Sequence, residues 1–272
     1  MRIRHRVAIH CTADAPRNAN CALQGGIGFA SGIQSSARPT RHHASEATAM
    51  RELFPLLLQG TLVTIEIAVF GTLLAIVMAF AGTAAKLAPW APVRWAGNVY
   101  VEVFRGTSLL VQLFWLFFVL PLPPFRIELT PFTVAIVGLG LHYGAYGSEI
   151  LRGALRSVPG GQFEAAVALN MSAFTRMRRI VLPQAMINAL PPATNLMIEL
   201  LKGTSLVSLI TLSDLTFRAR QLDEATFKTA EIFCLTLVIY FVLAQLLATV
   251  MRHFERRVSH GIIAHTTRKA AP

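Results

Sequence analysis

The run Gln162-Phe163-Glu164-Ala165-Ala166-Val167-Ala168-Leu169-Asn170-Met171-Ser172-Ala173-Phe174-Thr175-Arg176-Met177-Arg178-Arg179-Ile180-Val181-Leu182-Pro183 decides how the chain is read. It predicts two short helical pieces, Glu164 to Leu169 and Ser172 to Ile180, broken at Asn170. Glu164 brings negative charge into a first helical turn, where the helix dipole favours it. Ala165 and Ala166 are small and let another surface come close. Asn170 is one of the few residue types besides glycine that enters the left-handed conformation of a sharp helix end. Arg176, Arg178 and Arg179 keep the second piece at a polar surface. Leu182 precedes a proline and is expected to be extended, and Pro183 then opens the next helix at its first position. Ala185 to Ile210 is mostly apolar and long enough to cross a bilayer.

The composition agrees with that span. Of 272 residues, 54% are hydrophobic and 14% charged, which marks an integral membrane protein. The formal charge of +11 is spread between the apolar runs, which excludes a nucleic-acid patch and fits a topology signal. Cys11, Cys21 and Cys234 are scattered and odd in number, so neither a disulfide framework nor a metal site is expected. No Gly-x-x-x-x-Gly-Lys-Ser/Thr loop occurs; Gly25-Gly26-Ile27-Gly28 lacks the lysine. His42 and His43 lie in a loose tail, and His142 stands alone in a span as a buried polar histidine. The chain is therefore expected to bind no cofactor and to be no enzyme.

Met1 to Ala49 is basic, with Arg2, Arg4, Arg6, Arg17, Arg38 and Arg41 against Asp14 and Glu46. It lacks the apolar core of a secretory signal. It reads as a disordered tail over 1–49; a start at Met50 explains it better than an organelle transit segment does. Between 50 and 257 the apolar runs make a transmembrane domain of about five spans, and 258–272 is a short cytoplasmic tail. The first span runs from about Leu53 to Thr83. Glu66 lies within it, either as a functional acid or facing a helix partner or water. Lys86 to Arg94 is a short basic loop. A second span continues from Tyr100 through Phe118 to the prolines at Pro121, Pro123 and Pro124. A third runs from about Phe132 to Leu151, thinned by Gly138, Gly140, Gly144 and Gly147 for close helix contact. The fourth ends near Ser213 and Asp214, Leu215 to Lys228 is polar, and the last runs from about Ile232 to Val250.

Three charge pairs recur at a spacing of three: Glu102 with Arg105, Glu149 with Arg152, and Glu199 with Lys202. On a helix each pair shares a face and can neutralise itself. They either hold helix ends together, the favoured reading, or line the path of a polar solute. With the N-terminus outside, twelve basic residues fall in inner loops and tail: Lys86, Arg94, Arg152, Arg156, Arg176, Arg178, Arg179, Arg252, Arg256, Arg257, Arg268 and Lys269. Four fall outside: Arg126, Arg218, Arg220 and Lys228. The positive-inside rule puts Glu164 to Pro183 and the C-terminus in the cytoplasm.

The order Glu164-Ala165-Ala166, three residues, Asn170, nine residues, Ile180-Val181-Leu182-Pro183 resembles the cytoplasmic-loop motif of ABC importer permeases. Asn170 stands where that family has glycine. Gln59-Gly60-Thr61 with Thr64, and Arg105-Gly106-Thr107-Ser108-Leu109-Leu110-Val111-Gln112, resemble the polar amino-acid uptake subfamily, with Ser108 in place of proline. So do Ala145-Tyr146 with Glu149 and Arg152-Gly153, Leu190-Pro191-Pro192, Asn195, and Leu201-Lys202-Gly203-Thr204-Ser205-Leu206. The resemblance implies an all-α membrane protein with the type I importer permease fold and a cytoplasmic coupling helix. It also implies partners: a dimer of ATP-binding subunits that uses the ATP, a second permease subunit (identical or sister), a solute-binding protein outside, and membrane lipid. Phe114 to Phe125 and Leu169-Asn170-Met171-Ser172 look like permeases for ectoine and hydroxyectoine, so that zwitterion is the expected substrate, with a general polar amino acid as the alternative. A self-contained secondary transporter needs an ion site or broken-helix repeats, which the sequence does not display. A membrane scaffold explains the spans but not the ordered motifs.

Overall fold

The computed structural model describes the backbone of residues 41–267 and the side chains of 55–257. The tail expected to be loose over residues 1–40 lies outside them, as do residues 268–272. Every regular element among the described residues is helical. The elements are α1 (Arg41–Leu87), α2 (Ala91–Gly106), α3 (Leu109–Phe114) running into a π turn (Trp115–Val119), and α4 (Pro131–Arg156). After them come α5 (Gly160–Ala168), α6 (Ala173–Arg176) with a π turn (Met177–Val181), α7 (Leu182–Gly203), a 3-10 turn (Thr204–Ile210), α8 (Leu215–Thr226) and α9 (Thr229–Thr267). Residues 41–49, read from the sequence as tail, already belong to α1, and residues 258–267 extend α9.

Among the described residues three helical stretches are both long and apolar enough to cross a membrane: Pro55–Leu87, Ala173–Ile210 and Thr229–Arg257. Threonine hydroxyls inside the first of them are satisfied locally, as a bilayer demands. The hydroxyls of Thr61, Thr64 and Thr83 donate to carbonyls four residues back at 2.8, 3.0 and 2.8 Å. Trp90 and Trp95, 73% and 69% exposed, flank Arg94 as an aromatic belt does at a membrane surface.

α4 is the central helix, with twelve buried positions between Val134 and Ala154. Protein packs against much of it, so it tolerates His142, Tyr143 and Ser148 at buried positions where an outer span would carry aliphatics. Its glycines do what their spacing promised. A Cβ on Gly144 would lie 2.5 Å from that of Met78, and one on Gly147 2.8 Å from that of Ala79. α1 therefore packs almost backbone to backbone on α4. Around this contact Ile67, Leu113, Leu139, Leu200, Val207 and Ile210 form the core.

Three expectations are corrected. The Lys86–Arg94 loop shrinks to residues 88–90, because Pro92 sits in the first turn of α2 and starts that helix early. The second span is not straight: α2 and the α3 segment meet at 107°. Thr107 and Ser108 are extended there. The Gln112 side chain holds the break by donating to the Phe104 carbonyl at 3.0 Å and to the Thr107 hydroxyl at 2.6 Å. Leu215 to Lys228, read only as polar, contains α8, whose Leu215, Ala219 and Leu222 bury a stripe against Leu57 and Ile232.

Candidate docking loop and intramembrane charges

The loop after α4 is built by two caps back to back. Asn170 has φ 54°, in the left-handed region that ends a helix abruptly. Its N–H reaches the Val167 carbonyl at 2.8 Å, and the Met171 N–H reaches the Ala166 carbonyl at 3.1 Å. This pair of bonds is a Schellman cap, and it closes α5. Ser172 then caps α6, its hydroxyl accepting from the Thr175 N–H at 3.3 Å. The chain thus turns sharply between two helices, with three backbone N–H groups of the turn paired across it.

Leu182 departs from expectation. It is helical, with φ −61° and ψ −45°, so the chain runs on from α6 into α7. Pro183 cannot donate a hydrogen bond, and its ring would collide with a carbonyl one turn back. The π turn at Met177–Val181 widens the helix just ahead of it, and the Leu182 N–H reaches the Met177 carbonyl.

Ala166 is buried, whereas Glu164, Ala165 and Asn170 are exposed and Ile180 and Pro183 are half-buried. The tip is apolar: Leu169 is 76% exposed and Phe174 73%, with Val167, Met177 and Leu182 also open. Arg178 and Arg179 flank it, exposed. Arg176 lies 3.8 Å over the Phe163 ring and ties α6 to α5. The Asn188 amide donates to the Ser157 hydroxyl at 2.9 Å, joining the root of the loop to α7. Open apolar side chains on a rigid turn with cations beside them form a surface suited to a protein partner.

The charge pairs divide. Glu149 pairs with Arg152, as the spacing allows, and also with Lys86 from α1. Glu102 and Arg105 are exposed and form no ion pair among the described residues, and the same holds for Glu199 and Lys202. Arg105 instead lies 5.2 Å over the ring of Tyr146. Glu66 is exposed beside Ile65, Val69 and Phe70 on the outside of α1. A carboxylate on such a face calls for a subunit or water against it rather than lipid.

Two polar groups do more than their place in the sequence indicates. His142 is buried, with Nδ1 3.0 Å from the Gln112 side-chain oxygen, so it buttresses the elbow between α2 and α3. Asp214 is fully buried; its carboxylate accepts from the Phe217 N–H at 2.9 Å as the cap of α8, while its Oδ2 has no partner. Burial pushes the Asp214 carboxyl up to about 6, against the lowering effect of its hydrogen bonds. An Asp just before an apolar-periodic run is a legible capping signal, but its burial is not. Among the described residues no three His, Cys, Asp or Glu side chains converge as metal ligands.

A family model for the inner membrane components of binding-protein-dependent transport systems matches residues 71–260. The chain belongs to that family. A probable amino-acid ABC transporter permease of Sinorhizobium fredii is 42% identical over 205 residues, 74% of this chain and 86% of the relative. The L-cystine transport system permease of Bacillus subtilis is 34% identical, covering 78% of this chain and 90% of its own length. The glutamine transport system permease of Escherichia coli is 34% identical, with 78% and 96% covered. The crystal structure of an amino acid ABC transporter with histidines superposes with TM-score 0.73 and 31% identity, over 77% of this chain and 97% of that one. An inward-facing methionine ABC transporter, at TM-score 0.62 and 19% identity over 75% of this chain and 96% of its own, shares the fold. The all-helical type I importer permease fold expected from the sequence is the fold of this family member.

Proposed function

We propose that this chain is the permease subunit of an ATP-driven importer for a polar amino acid, and that Glu164 to Pro183 is where an ATP-hydrolysing partner grips it. The observation that carries this reading is the exposed apolar tip at Leu169 and Phe174, held between two caps and flanked by Arg178 and Arg179. Such a turn resists bending under a push, because the Schellman bonds at Asn170 and Met171 and the Ser172 cap brace it. Two ATP-binding subunits would close on ATP and reopen after hydrolysis, and a second permease, identical or sister, would complete the pathway. A solute-binding protein would deliver substrate from the other side. ATP is used by the partner, and this chain binds no cofactor and catalyses no reaction. The distribution of Lys and Arg supports a cytoplasmic loop and C-terminus with the N-terminus outside.

An amino-acid substrate is supported by relatives that carry amino-acid, cystine and glutamine permease names. Ectoine is the second reading, and it rests on the aromatic run Phe114–Phe125 and on Leu169-Asn170-Met171-Ser172, of which only the first could touch a solute. In the fold this run packs partly on itself, Trp115 lying 5.9 Å from Phe125 and Phe117 4.9 Å from Phe118, which weakens its claim as a solute contact. The test is ATP-dependent uptake in vesicles holding the chain, its ATP-binding subunits and its binding protein. Competition by glutamine, cystine or histidine supports the main reading. Competition by ectoine alone replaces it with the second, and uptake without ATP overturns both.

A further inference from the structure

The basic ends of α1 and α4 are joined by a three-charge clasp. Glu149 divides its carboxylate: Oε1 takes the Lys86 ammonium of α1, and Oε2 takes the Arg152 guanidinium one turn along α4, with Nε at 2.9 Å. All three groups are half-buried, with side chains 14% exposed for Lys86, 17% for Glu149 and 27% for Arg152. Arg152 fixes the carboxylate from behind, so that Oε1 points across to the neighbouring helix. The same turn carries a second cross-link, from the Thr83 hydroxyl to the Ser148 carbonyl at 3.0 Å. It is also a place of close approach: a Cβ on Gly82 would lie 3.1 Å from that of Ser148.

The clasp stands directly over the docking loop. Arg152 and Leu87 line one small apolar cavity together with Leu155, Phe163, Met177 and Val181. Phe163 belongs to α5, and Met177 and Val181 to the π turn behind α6. α5 itself follows α4 after the short link Ser157–Pro159. A push on α5 thus reaches α4 through the chain, but it reaches α1 only across side chains. An interface of aliphatic side chains would let α1 slide past α4, the usual shear between packed helices. A half-buried ion pair with a fixed carboxylate resists that sliding, because separating it leaves charges unpaired in a poorly solvated place.

We propose that Glu149 is a positioning residue that locks the basic ends of α1 and α4 into one body, so that displacement of α5 by the ATP-hydrolysing partner moves both helices. The inference deepens the importer reading above and rests on it. It assigns Lys86, so far only a topology charge, the role of receiver on α1.

The test uses the full complex in vesicles, with ATP hydrolysis and substrate uptake read on the same sample. For Glu149→Gln, hydrolysis is expected to persist while uptake per ATP falls about tenfold, within the usual range of coupling between sites. Lys86→Glu should behave likewise. The double exchange Lys86→Glu with Glu149→Lys keeps two cations around one acid and should restore uptake per ATP. Glu255→Gln, on the other acid lining the cleft beside Glu149, should leave the ratio unchanged. A merely structural role would lower the amount of complex but not this ratio, nor would it be rescued by exchange. As a second readout, spin labels on Leu87→Cys and Arg156→Cys, with the three native cysteines replaced by serine, should keep one separation through the ATP cycle and lose it in Glu149→Gln. Unchanged uptake per ATP in Glu149→Gln, or label separations that vary equally with and without Glu149, overturns the proposal while leaving the importer reading intact. A wild-type complex with no ATP-dependent uptake overturns both.

Discussion

The turn at Glu149–Arg152 and the turn at Glu102–Arg105 have the same residue types at the same spacing on helices that touch each other. In the first, the acid is pinned between two cations from two helices. In the second, both charges stay open, and Arg105 prefers the face of Tyr146. Helical spacing permits a pair, but a third group makes it. Lys86 arrives at Glu149 from 63 residues away, because the glycines of α4 let α1 lie close enough. No cation from another described helix arrives at Glu102. The comparison separates charges that organise this chain from charges that remain available to solute, water or a partner subunit.

The sharpest way to break it is to remove each acid in turn. Glu149→Ala leaves Lys86 and Arg152 facing each other in a poorly solvated place and should cost about 3 kcal/mol of stability. Glu102→Ala should cost less than about 0.5 kcal/mol. Thermal unfolding of the two variants in one detergent measures the contrast, and equal losses would erase it.

A third acid extends the contrast to burial without any cation. Asp214 is buried and its carboxyl is raised from 3.8 to about 6. A group whose folded pKa is raised favours folding in its protonated form, so its contribution is full below the unfolded value and is lost as pH rises through about 6. Asp214→Asn keeps an oxygen to cap Phe217 and removes the charge. It should therefore gain about 3 kcal/mol relative to wild type at pH 7 and nothing near pH 3. Denaturation followed across that pH window decides the matter; a constant difference would mean that the carboxyl is not the titrating group.

Two smaller effects sharpen the picture. Asn170→Ala forces an alanine into the left-handed cap and should cost about 1 kcal/mol, with Asn170→Gly nearly neutral. If both variants lose as much, the side chain rather than the backbone holds the turn. Arg105→Leu keeps the bulk over Tyr146 while removing the charge, and should shift stability by less than about 0.5 kcal/mol. It therefore serves as the baseline for the series.

Much of this fold is legible in the sequence. Asn170 announces a left-handed cap between two helices, and Gly144 and Gly147 announce close packing. These features are readable because each depends on one residue's backbone freedom or missing side chain. The elbow at Thr107–Ser108 is not legible, since Leu109 to Phe118 is apolar but for Gln112, and a lone polar residue in a span does not by itself announce a bend. What holds the bend is Gln112, which turns back onto Phe104 and Thr107 and is buttressed by His142. Leu182 misleads for a related reason: a proline normally pushes its predecessor out of the helix, but a π turn upstream makes room for it.

The membrane class, the helical content, the loop with its break at Asn170 and the family could be read from the residues in order, because these follow from composition, local conformation and ordered motifs. Which acids are paired, where the second span bends and that Asp214 is buried became visible only in the folded chain. Those outcomes depend on groups brought together from distant parts of the chain, and the energy of a charge is set by the partners and solvent around it rather than by its neighbours in sequence.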